Sequence, residues 1–176
     1  MTEVKRAMTD FHPGYILLIG ALLTAVLPQK LRKAVMLLAP LLALSAVFGL
    51  SMGSHGSYAF INKIVLVPLK VDELSWMFAL VFTIIALAGA IYALHTNSAV
   101  EGTTALAYAG SSLGVVFAGD WVTLIFFWEL MAATSVFLIW SRKSPQAIKA
   151  GFRYVLVHFF GGNALLAGIF LKAAAG

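Results

Sequence analysis

The sequence predicts an all-α integral membrane protein with six transmembrane helices and a short extramembrane strand or hairpin between the second and third. Hydrophobic residues make up 61% of the 176 residues, charged residues make up only 11%, and the mean hydropathy is +0.96. Soluble domains contain about 45–50% apolar and about 25% charged residues. This composition argues against a soluble enzyme, a nucleic-acid-binding protein and a disordered chain.

Six apolar stretches give the predicted spans, because a bilayer core of about 30 Å needs about 20 apolar residues in a helix. The basic residues 29–33 predict a turn before the second span, and Pro40 predicts a kink within it. Residues 53–58 are typical of a turn, and residues 60–71 are rich in β-branched residues, with Pro68 at an edge position. We expect one membrane domain over residues 1–176, with spans at about 13–28, 34–52, 74–95, 102–118, 121–140 and 148–172.

The basic residues favour an orientation with the N-terminus outside. In that orientation the inner side holds seven Lys and Arg residues, clustered around 30–33 and 142–153, and the outer side holds five. Inner loops of membrane proteins carry the excess of Lys and Arg. We therefore expect a multi-pass protein of the plasma membrane, surrounded by lipid and without a nucleic-acid partner.

Glu129 is the acidic residue placed deepest in a predicted span. It follows Trp121 by eight residues and precedes Trp140 by eleven, which places it about 12 Å and 16 Å from these boundaries. A charge near the bilayer centre costs about 2.5–3.5 kcal/mol even on insertion scales. Such a residue normally faces a partner or a hydrated cavity, so we interpret Glu129 as a proton carrier. The alternative is a structural glutamate bonded to a neighbouring helix.

His158 lies near the middle of the sixth span and is a candidate proton relay. The alternative is a packing histidine beside Gly161 and Gly162. His12, His95 and His158 are expected at different depths, so no pair is suited to ligating a haem. The chain has no cysteine, and we expect no organic cofactor and no metal site.

The supporting candidates for this site are Ser111, Ser112, Asp120 and Arg153. Ser111 and Ser112 permit close helix packing, and the alternative is that they orient water beside the glutamate. Asp120 and Asp72 immediately precede spans and are expected to cap helices. A proton or cation entrance is the alternative role for both acids.

Three segments together resemble a known family. They are VDELSWMF (71–78), FAGDWVTLIFFWEL (117–130) and FRYVLVHFFGGNALLAGI (152–169). They are similar to the antiporter-like membrane subunits shared by Mrp-type cation/proton antiporters, respiratory complex I and membrane-bound hydrogenases. The nearest type is the D subunit of the Mrp antiporters. The resemblance covers about residues 70–170.

The resemblance implies that Glu129 is the essential mid-membrane acid and that it pairs with a lysine on a later span, which this chain does not contain. Family members have more spans, built around inverted repeats. We therefore expect the N-terminal part of a longer or split subunit, in a multisubunit membrane complex that exchanges Na⁺ or another monovalent cation for protons. Arg153 stands where the family often has a lysine.

Two other functions remain open on the sequence alone. One is a proton-pumping subunit of a redox complex, which would make the chain part of a translocase. The other is a structural fragment without transport of its own.

Overall fold

The structure is a computed structural model that describes residues 11–61, 64–95 and 98–175. Within these ranges the chain forms six helices and four short strands. The helices are α1 (Pro13–Val26), α2 (Gln29–Gly49), α3 (Glu73–Ala93), α4 (Ala99–Phe117), α5 (Trp121–Trp140) and α6 (Pro145–Ala175). The strands, all between α2 and α3, are β1 (Gly53–His55), β2 (Tyr58–Ile61), β3 (Ile64–Leu66) and β4 (Leu69–Val71).

Four helices of the described chain are long and apolar enough to cross a membrane, namely α2, α3, α5 and α6. Helix α1 is apolar but has only 14 residues, which span about 21 Å of a core of about 30 Å. Helix α4 does not meet the same criterion of length and composition. The chain is therefore a largely helical, multi-pass membrane protein.

Helix α4 lies at the centre of the bundle and packs closely against both α1 and α5. Its buried residues include Leu106, Leu113 and Phe117. At Gly110 its backbone meets that of Gly14 in α1, and a side chain at either glycine would clash with the carbonyl of the other. A central helix faces protein rather than lipid, which explains why α4 tolerates more polar residues than its neighbours.

Two segments differ from the predictions made for them. Residues 29–33 were expected to form a turn, but they form the first turn of α2, which follows Pro28 directly. The side chain of Arg32 donates to the carbonyls of Thr24 and Leu27, so the basic cluster also satisfies acceptors at the end of α1. Residues 53–55 were expected to be turn material, but they form β1, which pairs with β4 antiparallel from Gly53–Val71 to His55–Leu69.

The remaining helix bounds lie within a few residues of the predicted spans. Helix α5 has the predicted limits, whereas α4 and α6 each begin three residues earlier than expected. Serines explain these earlier starts: Ser98 accepts from the backbone of Glu101, and Ser144 accepts from Ala147. Sequence hydropathy misses such starts because it does not count the polar first turn as part of a span.

Candidate functional site

Helices α5 and α6 hold the two residues for which the sequence predicts proton chemistry. The loop between them is short and α6 packs along α5, with little of its own surface buried. The indole of Trp128 stacks on the imidazole of His158, with ring centroids 5.5 Å apart and planes inclined by 29°. The ring of Tyr154, one helical turn before His158, stacks on the same imidazole at 5.7 Å. The His158 ring is thus packed against aromatic groups from both helices.

Glu129 reaches α6 at Gly162. A Cβ built at Gly162 would overlap Oε1 of Glu129 and would lie 3.6 Å from Cδ of Glu129. The residue is exposed at the surface of the chain, and within the described ranges its carboxylate has no hydrogen-bond partner. The absence of a side chain at Gly162 therefore gives the carboxylate its place on the face of α6.

The structure brings Glu129 and His158 to the same region of α6 without joining them directly. Gly162 lies one turn beyond His158 on the same helical face. Among the described residues, no hydrogen bond links the carboxylate and the imidazole. The Nε2 of His158 and the Nε1 of Trp128 are both buried without a hydrogen-bond partner in this part of the chain. A link through water stays a prediction.

A polar contact that the sequence analysis missed continues the α5–α6 interface. The hydroxyl of Ser135 donates to the Tyr154 hydroxyl at 2.7 Å. Tyr154, His158 and Gly162 are spaced four residues apart and so share one stripe of α6. That spacing is the signal in the sequence that could have identified Tyr154 as part of the interface.

The supporting candidates lie elsewhere in the bundle. Ser111 and Ser112 are buried in α4, and their hydroxyls donate to the carbonyls of Ala107 and Tyr108 at 2.7 and 2.9 Å. Neither serine is hydrogen-bonded to Glu129 within the described chain. Arg153 is exposed on α6.

Asp120 caps α5 and also anchors the strand segment. Its carboxylate accepts from the backbone of Thr123 at 2.9 Å and from the backbone of Val67 at 2.6 Å. Burial alone would raise the pKa of Asp120, but the hydrogen bonds from Thr123, Val67 and Val122 outweigh it and lower the pKa. The predicted capping role is confirmed. Asp72 likewise caps α3 through a reciprocal pair of hydrogen bonds with Ser75, which lowers its pKa.

His12 is a buried titratable residue for which sequence analysis predicted no function. It caps α1 by accepting from the backbone of Gly14 at 2.9 Å, and its ring stacks on Tyr15 and Phe127. Only 3% of its surface is exposed, and its Nε2 has no hydrogen-bond partner in the described chain. Burial lowers the pKa of His12 to about 4, although the backbone carbonyls of His12 and Pro68 oppose the shift. The signal was a polar residue directly before Pro13 at a helix start.

Among the described residues, no group of three or more His, Asp or Glu side chains is arranged to hold a metal ion. At the α5–α6 interface the structure places the carboxylate of Glu129, the imidazole of His158 and their aromatic and hydroxyl neighbours. Such a set can take up, hold and release protons.

Comparison with known proteins connects this region to a family. Residues 118–174 match the transmembrane family described as NADH:quinone oxidoreductase/Mrp antiporter. This segment contains α5, nearly all of α6 and the Asp120 cap. Both residues predicted to handle protons fall inside it.

Individual relatives extend the similarity toward the N-terminus. A Staphylococcus saprophyticus protein named as antiporter subunit mnhA2 is 31% identical over 165 residues, covering 85% of this chain and 20% of its own length. A Staphylococcus haemolyticus protein, named as the A1 subunit of a Na⁺/H⁺ antiporter, is 32% identical over 115 residues, covering 61% of this chain and 14% of its own length. A Rhizobium meliloti protein, named as the A/B component of a K⁺/H⁺ antiporter, is 30% identical over 109 residues, covering 58% of this chain and 11% of its own length.

The chain thus spans about a fifth or less of the length of these relatives. Their names carry the designation A or A/B, whereas the motifs had suggested the D type. The predicted resemblance is confirmed for part of the chain: residues 118–174 match the transmembrane family described as NADH:quinone oxidoreductase/Mrp antiporter.

Proposed function

We propose that this chain takes part in cation/proton antiport and that Glu129 carries the proton. The observation behind the proposal is a carboxylate halfway along an apolar helix, lying against Gly162 of the next helix without a hydrogen-bond partner in the described chain. A carboxylate at such a depth is costly unless it is neutral or paired. The antiporter names of the relatives support this function.

The proposed mechanism is protonation and release at Glu129, controlled by a cationic group from outside this chain. A nearby cation favours the ionised carboxylate and releases the proton, while withdrawal of the cation favours the neutral acid. The exposure of Glu129 on the surface of the isolated chain supports a partner there. The resemblance makes a lysine on a later span the expected partner.

His158 is proposed to pass protons to and from Glu129 through water. Its placement one turn from Gly162, with Nε2 buried and unpartnered in the described chain, supports this role. Ser111 and Ser112 belong to the packed core of α4 and are proposed to shape the interior rather than to move protons. Arg153 is proposed to stay at the exposed side of α6.

We further propose that all six helices lie in the plasma membrane with the N-terminus outside, as one membrane domain of a longer subunit within a multisubunit complex. The central position of α4 supports its inclusion, since helices that face protein need fewer apolar residues. The chain has no cysteine, so cysteine labelling tests the orientation cleanly. With Ser57→Cys, an impermeant reagent is expected to label from the outside, and labelling from the cytoplasmic side alone would reverse the assignment.

The experiment that tests the function is antiport by the assembled complex in inverted membrane vesicles. Glu129→Gln keeps the shape of the side chain and removes its charge, so we expect loss of cation-dependent proton movement with normal insertion. Glu129→Asp is expected to retain part of the activity because only its reach changes. Glu73→Gln, an exposed acid at the start of α3, is the matched control and should transport normally.

A redox-driven proton pump is the second candidate, because the matched family includes NADH:quinone oxidoreductase. It predicts proton movement that depends on an electron donor and not on Na⁺ or K⁺. The same vesicles distinguish the two functions when the electron donor and the cation are supplied in separate experiments.

A further inference from the structure

An apolar cavity of about 550 Å³ is lined by residues of α2, α3, α4 and α5. Met36, Gly89, Leu106 and Leu138 represent the four walls. Its size is within the range of about 300–1,000 Å³ typical of small-molecule sites. Ser112 is one of the few polar residues that line the cavity, and the Ser112 hydroxyl already donates to the backbone carbonyl of Tyr108. The cavity is therefore suited to a hydrocarbon group.

The cavity has the depth of one leaflet of a bilayer. Along α3 it extends from Phe82 to Ala93, and along α4 from Gly102 to Ser112, which correspond to about 16 Å and 15 Å. The hydrocarbon core of a bilayer is about 30 Å thick. The cavity thus begins at the end of the bundle where α3 ends and α4 begins, and it stops near mid-depth.

The end at which the cavity begins is also the basic end of the bundle. Lys33 precedes Met36 by three residues and shares its face of α2. Arg142 follows Leu138 by four residues, just beyond the end of α5. Glu101, next to Gly102, is an acid at this end, but the Lys and Arg residues of segments 30–33 and 142–149 outnumber it.

We propose that this cavity binds one acyl chain of an anionic phospholipid, with the lipid phosphate against Lys33 and Arg142. An apolar, leaflet-deep cavity accounts for the chain, and the basic residues at its entrance account for the headgroup. Basic sites between membrane helices bind anionic lipid headgroups in this way. The proposal goes beyond proton transport and depends only on the membrane placement of these helices.

The test is lipid-dependent thermal stability of the purified full-length protein in detergent, titrated with phosphatidylglycerol or phosphatidylcholine. We expect a saturable rise of Tm with phosphatidylglycerol that phosphatidylcholine does not reproduce. Gly89 lines the cavity, and no atom lies within 4 Å of a Cβ built there. Gly89→Leu therefore places a side chain in the space proposed for the acyl chain, and it should abolish the rise of Tm. Lys33→Gln should raise the half-saturating lipid concentration about fivefold.

Matched controls separate the site from general effects of lipid. Gly168→Leu also adds a side chain in open space, but on α6. Lys70→Gln removes an exposed charge in β4, just before α3 begins and so at the end opposite the cavity entrance. Both variants should respond like the wild type. Equal responses to the two lipids, or an unchanged response in Gly89→Leu, would overturn the proposal. Loss of complex formation in Gly89→Leu with lipid binding intact would also overturn it, since a protein segment would then fill the cavity. Because the readout is lipid binding, failure leaves the antiport proposal untouched.

Discussion

Adjacent glycines on α6 allow the position of the Glu129 carboxylate to be tested without changing Glu129 itself. A methyl group at Gly162 would overlap Oε1 of Glu129, whereas nothing lies within 4 Å of a Cβ at Gly161. Non-bonded contacts need about 3.5 Å, so Gly162→Ala must displace the carboxylate oxygen by about 1 Å. The oxygen is the far end of a flexible side chain, and the helices therefore need not move.

The expected effect is on transport and not on folding. Alanine favours a helix over glycine by about 0.5–1 kcal/mol, so both Gly161→Ala and Gly162→Ala should be at least as stable as the wild type. A misplacement of about 1 Å costs up to about 100-fold in catalysis. Because Glu129 can partly readjust, we expect Gly162→Ala to slow antiport about tenfold, and Gly161→Ala to leave it unchanged.

The assay is cation-dependent proton flux in inverted vesicles, with complex content measured in the same membranes. Normal flux in a well-assembled Gly162→Ala variant would refute the inference that this glycine places the carboxylate. Equal loss in both variants would also refute it, because a general requirement for flexibility in α6 would then explain the result. A shift in the pH optimum confined to Gly162→Ala would support the stated mechanism.

Three further predictions concern other parts of the chain. Gly114→Ala should destabilise the protein, since a Cβ there overlaps the ring of Phe127; an unchanged Tm would contradict this packing. Burial lowers the pKa of His12 to about 4 from 6.5, so the neutral side chain contributes fully to the free energy of unfolding above about pH 6.5. As the pH falls from 6.5 toward 4, the free energy of unfolding decreases by up to about 1.4 kcal/mol per pH unit, because His12 takes up its proton more readily in the unfolded chain. His12→Asn should remove that pH dependence while keeping a cap, and an unaltered difference in Tm between pH 7 and pH 5 would count against it. Asp120→Ala should lower the free energy of unfolding by about 1 kcal/mol through the lost cap, and it should raise protease sensitivity near Val67. Equal proteolysis of variant and wild type would show that Asp120 does not anchor this segment.

Hydropathy and helix-capping rules predicted much of the fold. They placed α5 between its two tryptophans and gave Asp72 and Asp120 their capping roles, because both signals are local in sequence. They failed at residues 29–33 and 53–55, where contacts with distant residues determine the secondary structure. Arg32 is used to satisfy carbonyls at the end of α1, and Gly53–His55 finds a pairing strand at Leu69–Val71.

The candidate site shows the same division between local and tertiary information. The depth of Glu129 follows from counting residues between aromatic boundaries, so sequence was sufficient to select it. Its contact with Gly162 and the stacking of Trp128 on His158 depend on the rotation of α5 against α6. Neighbouring helices can be inferred from a short loop, but their facing residues cannot. The burial of His12 likewise could not be inferred from the positions of the spans.

The central claim is that the carboxyl group of Glu129 gains and loses a proton during transport. Infrared difference spectroscopy of the assembled complex, recorded between low and high concentrations of the transported cation, measures this directly. The account predicts a protonated-carboxyl band that decreases as cation is added, is absent in Glu129→Gln and persists in Glu73→Gln. An identical band in Glu129→Gln, or no cation-dependent carboxyl signal in an actively transporting wild type, would contradict it.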